Sequence, residues 1–259
     1  MISAYVHPYS NILNMETDCR LIMPDIDDAG DPIPCIYLCH GGSGDEDAWL
    51  FLGNAAALAD RYRTAFCLVN ARDSLFADMA HGFRFTTFIG NELPEIMRRL
   101  FPRLSRERKD TFICGLSNGG YGALLIGLSH PEVFAAIGAF SAGDKADAVP
   151  KPAVPGEMDP RIRVFGQMDI KDTPMSIRHL AGTLAESPGP KPRIYHACGG
   201  KDPWLDLNIM VRNCFESISL PDYDYRYDQM DEYGHEWPFW NEELVRFLDY
   251  LGLGQDRET

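Results

Sequence analysis

The run Thr111-Phe112-Ile113-Cys114-Gly115-Leu116-Ser117-Asn118-Gly119-Gly120 decides how the chain folds. Thr111–Cys114 reads as an apolar strand, and the small residues of Tyr121–Leu128 read as a helix. Between them, Gly115-Leu116-Ser117-Asn118-Gly119 fits the pattern G-x-S-x-G. A strand-to-helix turn this sharp forces its serine into a strained backbone and lifts the hydroxyl clear of the sheet. Side chains two positions to either side would collide across the turn, which calls for glycine at 115 and 119. The alternative is a glycine-rich turn carrying an idle serine. The strand before it and the Gly- and Ala-rich helix after it favour the functional reading.

Working outward, apolar runs alternate with helical periods. Ser3–Tyr9 and Thr17–Met23 read as an opening antiparallel pair. Pro34–Cys39, Ala65–Val69, Ala135–Phe140, Arg161–Phe165, Arg193–Cys198 and Asp224–Gln229 read as further strands. Several of these are continuously apolar, as strands covered on both faces are. Helices are expected over Asp47–Tyr62, Thr87–Phe101 (with Pro94 inside it), Thr173–Glu186, Leu205–Ile218 and Pro238–Leu251, the last ended by Gly252. This alternation predicts an α/β protein, with a mostly parallel central sheet and helices on both faces. No repeat or linker divides the chain, so residues 1–259 read as a single domain. Ser141–Pro160, rich in Pro, Gly, Asp and Ala, reads as a lid-like insertion or a plain surface excursion.

Charge limits the partners. The 259 residues carry a net charge of −14. Nucleic-acid phosphates and anionic membranes would repel such a surface, and the densest basic run, Arg98 to Lys109, is broken by Leu100, Phe101 and Pro102 and reads as a helix end. Seven cysteines without regular spacing make a poor disulfide framework. Cys35 and Cys39 find no second Cys/His pair to complete a zinc set. The first eight residues lack the basic and apolar regions of a signal peptide, and no run of 18 apolar residues exists. The expectation is a reduced, cytoplasmic protein with no metal, no cofactor, no nucleic acid and no membrane, acting on a small molecule. Monomer and homo-oligomer stay open.

A serine hydroxyl is a weak nucleophile and needs a base, with a carboxylate to orient that base. On a strand–turn–helix serine the partners follow in the order Ser, Asp/Glu, His. That order removes His7, His40 and His81. His130 lies just past the helix after Ser117 and is expected to face outward. His179 falls in a helix and His196 in a strand. His235, in Tyr233-Gly234-His235-Glu236-Trp237, follows the last strand and is the candidate base. The acid belongs at the carboxyl end of an intervening strand. Asp202, in Cys198-Gly199-Gly200-Lys201-Asp202, fits best; Asp169, Asp206 and Asp228 are the alternatives, and Asp206 suits a helix start. The backbone N–H of Asn118 and that of Gly42, in His40-Gly41-Gly42, are the candidate oxyanion donors. His40 itself reads as an orienting residue. The aromatics Trp49, Trp204, Tyr233 and Trp237 lie near these loops and are expected to shorten an acyl pocket.

These motifs together resemble the esterases of the α/β-hydrolase superfamily, most closely the tributyrin esterase type. The resemblance runs through Leu38-Cys39-His40-Gly41-Gly42-Ser43-Gly44 with Asp47 and Trp49, then His81-Gly82-Phe83, Glu92-Leu93-Pro94 and Gly115–Gly122. It ends in Gly234-His235-Glu236-Trp237 and Trp240, and so covers nearly the whole chain. It implies the α/β-hydrolase fold and short-acyl serine carboxylesterase activity, with Ser117, Asp202 and His235 as the triad. Related members deacetylate sugars, release feruloyl groups or hydrolyse S-formylglutathione. The chain departs from the family at Asn118, where Met is frequent, and at Gly42, where a larger residue is common. An acyltransferase or serine peptidase on the same fold, or an inactive binding module, are the alternatives.

Overall fold

Cys35–Cys39 is buried along its whole length and forms the axis of the sheet. The computed structural model describes residues 1–25, 30–148, 160–218 and 224–254. Its strands are β1 (Ile2–Val6), β2 (Tyr9–Ser10), β3 (Met15–Glu16), β4 (Cys19–Met23), β5 (Cys35–Cys39), β6 (Ala65–Val69), β7 (Thr111–Leu116), β8 (Ala136–Phe140), β9 (Arg193–Gly199) and β10 (Tyr225–Met230). Among the described residues, eight of them form one sheet in the order β1-β4-β6-β5-β7-β8-β9-β10. β1, β4 and β6 pair antiparallel, and every pairing from β6 to β10 is parallel. β2 and β3 form a separate hairpin.

The order of strands reverses at β5. The chain leaves β5 for β6 on one side and returns to β7 on the other. Loops after β5 and β7 therefore part in opposite directions and leave a crevice between them, the usual place for a ligand in an open α/β sheet. Residues 40–44 and Ser117 meet there.

Alternate residues of the strands feed two cores, as a period of two requires. On one face, Tyr37, Cys67, Ile113, Ile137 and Ile194 pack against α5 (Asn118–Ser129) and α7 (Ile177–Glu186), with α4 (Leu93–Leu100) beside them. On the other, Ile36, Leu38, Phe66, Leu116 and Tyr195 pack against α2 (Ala55–Tyr62) and α9 (Trp237–Leu251). The expected mostly parallel sheet with helices on both faces is the observed architecture.

Three stretches differ from the sequence reading. The helix expected over Asp47–Tyr62 is two, α1 (Ala48–Phe51) and α2, because the chain packs back on Trp49 at Gly53, where a Cβ would lie 2.6 Å from the Trp49 carbonyl oxygen. Thr87–Phe101 opens as α3 (Phe85–Thr87), passes through a π-helical turn at Phe88–Glu92, and continues as α4. Pro94 supplies no N–H, and its ring crowds the carbonyl four residues back; Leu93 N–H accordingly reaches Phe88 O, five residues back. Arg161–Phe165 is not a strand but a helix, α6 (Pro160–Phe165). Its alternating residues imitate a strand, yet Pro stands at the first helical position and Gly166, at φ +69°, closes it with Gly166 N–H bonded to Ile162 O at 2.9 Å. Within the proposed insertion at 141–160, residues 149–159 lie outside the described residues.

Candidate active site

Ser117 stands at the tip of β7 with φ +55° and ψ −118°, a backbone that few non-glycine residues adopt. Close packing enforces it. Ser117 N–H donates to Phe140 O at 2.8 Å. A Cβ on Gly115 would lie 2.2 Å from Gly119 O, so the two flanking glycines face each other across the turn.

The strand ends bring three distant side chains into line. His235 Nε2 lies 3.0 Å from Ser117 Oγ, and His235 Nδ1 lies 2.8 Å from Asp202 Oδ2. Asp202 follows β9 across Gly199-Gly200, and its carboxylate is fully shielded from solvent, whereas the His235 ring is 23% exposed. Trp204, at the start of α8 (Leu205–Ser217), donates its N–H to Asp202 Oδ1 at 2.8 Å. Burial by itself would raise the Asp202 pKa. Hydrogen bonds from His235, Ser141 and Trp204 N–H outweigh it and hold the carboxyl below the ordinary carboxylate range. An ionised Asp202 accepts, so His235 Nδ1 carries the donated proton and leaves Nε2 as the acceptor facing Ser117.

The alternative acids are occupied elsewhere. Asp169 is exposed and accepts from Lys171 N–H. Asp206 is exposed in the first turn of α8. Asp228 pairs with Arg246 at 3.0 Å. Among the histidines, His130 does not face outward: its side chain is 14% exposed, with the ring against Gly90. His196 is fully buried between Tyr225 OH and Asn208 Oδ1, each at 2.9 Å.

The loop after β5 flanks the serine. A Cβ on Gly41 would lie 3.7 Å from Ser117 Cβ, and one on Gly42 would lie 3.0 Å from Asn118 Nδ2. His40 holds this loop. Its Nε2 accepts from Ala71 N–H at 3.2 Å, which leaves Nδ1 to donate to Gly41 O at 2.7 Å. Burial lowers the His40 pKa and keeps it neutral for both bonds. The Asn118 side chain is pinned as well, its Oδ1 accepting from Lys145 Nζ at 2.8 Å.

Aromatic residues brace the other flank. Trp240 meets the His235 ring edge-on, at 4.9 Å and 89°, and Trp237 meets Trp240 and Trp49 in the same manner. Trp49 is buried and donates its Nε1–H to Cys39 O at 3.0 Å. It therefore braces the end of β5 rather than lining a pocket, while Trp204 is 47% exposed beside Asp202. Ser141 and Lys145 were not singled out from the sequence, and no motif marks them.

A family model described as "Putative esterase" matches residues 10–251. An acetyl esterase of Caldicellulosiruptor saccharolyticus is 31% identical over 96% of this chain and 97% of its own. Among solved structures, the fluorophosphonate-binding serine hydrolase FphF of Staphylococcus aureus superposes with a TM-score of 0.86, at 22% identity over 98% of this chain and 99% of its own. FrmB of the same organism, an S-formylglutathione hydrolase, gives 0.82 at 23% identity over 97% and 99%. No described helix is long and apolar enough to cross a membrane. With the sheet order and this extent of match, the chain belongs to the esterase family of the α/β-hydrolase fold and is a carboxylic ester hydrolase acting on small-molecule esters.

Proposed function

We propose that the protein is a serine carboxylesterase for short acyl esters, acetylated sugars and short glycerides such as tributyrin among them. The observation that carries this reading is the hydrogen-bonded series Ser117–His235–Asp202, at 3.0 and 2.8 Å, on a strained turn. Ser117 Oγ attacks the ester carbonyl carbon while His235 Nε2 takes the hydroxyl proton. Asp202 holds the imidazole in the tautomer that can do so and stabilises the imidazolium. The carbonyl oxygen, now anionic, is held by the N–H groups of Gly42 and Asn118. Collapse expels the alcohol, which takes the proton from His235, and leaves an acyl-Ser117. Water, deprotonated by His235, then attacks that ester and frees the acid and the serine.

Each step uses only side chains, backbone and a water, so the reaction requires no metal or cofactor. The chain works as one domain, and a reduced, cytoplasmic setting suits its seven free thiols. The name of the Caldicellulosiruptor relative favours acetyl among the short acyl groups.

The test is labelling by a fluorophosphonate together with hydrolysis of p-nitrophenyl acetate, butyrate and laurate. The wild type should be labelled, should prefer chains of about two to six carbons, and should lose on the order of 10⁴ or more in kcat as Ser117→Ala. An unlabelled wild type would mark an inactive fold, and faster turnover of laurate than of acetate and butyrate would refute the short-acyl preference.

A further inference from the structure

Asn118 brings a side chain to the site as well as a backbone N–H. The residue is half-buried, and its amide lies over Gly42, where a Cβ would stand 3.0 Å from Asn118 Nδ2 and 3.9 Å from Cγ. Glycine at 42 leaves that space to the amide. Lys145 Nζ donates to Asn118 Oδ1 at 2.8 Å. An ammonium has donors and no acceptor, so the amide oxygen faces Lys145 and the amide nitrogen faces Gly42. No described residue accepts a hydrogen bond from Nδ2.

Lys145 is itself held in place. It sits in the turn after β8, which the fully buried Asp144 anchors. Asp144 Oδ2 accepts from Ser176 Oγ at 2.8 Å and from Arg178 N–H at 3.2 Å, and Oδ1 accepts from Ala146 N–H at 3.0 Å. The ammonium also stands over the Tyr121 ring, 5.6 Å from its centroid, and Tyr121 OH donates to Met175 O at 2.6 Å. A charged donor on Oδ1 draws electron density from Nδ2 and makes its hydrogens the stronger donors.

A bound ester oxygen lies between the N–H groups of Gly42 and Asn118, so the atoms attached to the carbonyl carbon pass beside this amide. We propose that Asn118 Nδ2 donates to a second oxygen of the substrate, carried close to the scissile ester, and that Lys145 is the positioning residue that turns and polarises the amide. The site then selects oxygen-bearing esters over hydrocarbon esters of the same shape. Such an oxygen comes from the acyl group, as in an alkoxy acid, or from the alcohol, as in a polyol. The inference rests on the reading of Ser117 as nucleophile and of Gly42 and Asn118 as oxyanion donors.

Two pairs of esters separate these sources. p-Nitrophenyl methoxyacetate and p-nitrophenyl butyrate differ by an oxygen for a methylene in the acyl chain. Methoxyethyl acetate and butyl acetate differ in the same way in the alcohol. The experiment measures kcat/KM on all four, melting temperature and fluorophosphonate labelling. It compares the wild type with Asn118→Leu, which keeps the shape without the donor, and with Lys145→Met, which keeps the stem without the ammonium. The intrinsic reactivity of each ester cancels when a variant's preference for oxygen over methylene is divided by that of the wild type.

For Asn118→Leu the preference should fall about tenfold in at least one pair, and that pair names the side carrying the oxygen. Lys145→Met should lower it in the same pair by about threefold, because the released amide can turn its oxygen inward. The double variant should match Asn118→Leu, since the ammonium acts through the amide. A role in packing alone would lower the melting temperature and slow both members of each pair alike. Unchanged preferences in both pairs for Asn118→Leu therefore overturn the proposal. A fall in Asn118→Leu with none in Lys145→Met overturns the part given to Lys145. Should Asn118→Leu not fold, an unmoved preference in Lys145→Met overturns the whole. A wild type neither labelled nor active on any of the esters overturns the reading of the site and this inference with it; labelled variants with unmoved preferences overturn the inference alone.

Discussion

Gly119 stands so close to Cys39 that a methyl on its Cα would lie 2.4 Å from the Cys39 carbonyl oxygen, and equally close to that of His40. The first turn of α5 is thereby seated directly on the end of β5, and Ser117 is held beside the loop at residues 40–44. Gly119→Ala must push the helix away from the strand. Such overpacking costs about 1–3 kcal/mol, and the displacement should abolish fluorophosphonate labelling of Ser117. Gly182, within α7, has no described residue's atom within 4 Å of where its Cβ would stand. Gly182→Ala should raise stability by about 0.5–1 kcal/mol through helix propensity and leave labelling intact. Thermal melts and a labelling gel on both variants check the contrast; a fully labelled Gly119→Ala would show that the seating is not needed.

Asp202 and Asp206 are only four residues apart but should respond very differently. Asp202→Asn keeps the shape and favours the wrong histidine tautomer, which costs up to about 10⁴ in kcat. Asp206 is exposed on the first turn of α8, so Asp206→Asn should change stability by at most about 1 kcal/mol and the rate hardly at all. Steady-state kinetics on the pair decides it, and a larger rate loss at Asp206 would move the acid.

What the sequence revealed depended on whether the signal was local. The turn around Ser117 was legible because the spacing of its two glycines about the serine is a local pattern, and Gly115 is demanded by the Gly119 carbonyl four residues on, although Gly119 itself answers to Cys39 and His40 far back in the chain. His235 was reachable by elimination, since three histidines precede the serine and two fell inside regular elements, while His130 was set aside on an outward orientation that the structure does not show. Asp202 stood out through the Gly199-Gly200 turn after β9. Ser141 was not legible: nothing in its neighbours announces a left-handed backbone, and its partner Trp240 lies far along the chain. The helix at Pro160–Phe165 was misread because alternating Arg, Ile, Arg and Val mimic a strand, though Pro160 and Gly166 carried the boundary signals. His130 was read as outward because its ring packs on Gly90, forty residues away, which no local period reveals.

His196 gives the fold an acid-sensitive point. Asn208 Oδ1 can only accept, so Nε2 carries the proton and Nδ1 accepts from Tyr225 OH, an arrangement that needs the neutral ring. Burial lowers its pKa to about 4, and the bond to Asn208 offsets part of this. Unfolded histidines titrate near ~6.5. The unfolded chain therefore binds the proton first as the pH falls, and stability is lost progressively from about 6.5 to about 4. His196→Gln should flatten the melting temperature over that window. An unchanged slope would show that another group governs acid unfolding.

Glu243 works in the opposite sense. It projects from α9 into the core beneath the sheet and is fully buried, with Oε2 accepting from Tyr195 OH at 2.7 Å and Oε1 without a hydrogen-bond partner among the described residues. The same tyrosine hydroxyl reaches Asp228 at 3.1 Å, so one hydrogen is shared by two carboxylates. Arg246 is engaged by Asp228 and Glu242, at 3.0 and 2.8 Å. Burial raises the Glu243 pKa most, the Tyr195 bond and Arg246 lower it, Asp228 and Glu242 raise it, and it comes to about 7. The folded state thus holds a proton that the unfolded chain releases near ~4.3. This group's contribution to stability is fully present below that value and is lost as the pH rises through about 7. Glu243→Gln keeps the shape and has nothing to titrate. Relative to the wild type, it should gain roughly 3 kcal/mol between pH 4 and pH 8, which in a chain of this size is a relative rise in melting temperature of about 6–12 °C. Denaturant melts of both proteins at the two pH values measure the difference directly. Parallel pH dependences would mean that Glu243 stays ionised in the core, stabilised by contacts other than those of Tyr195.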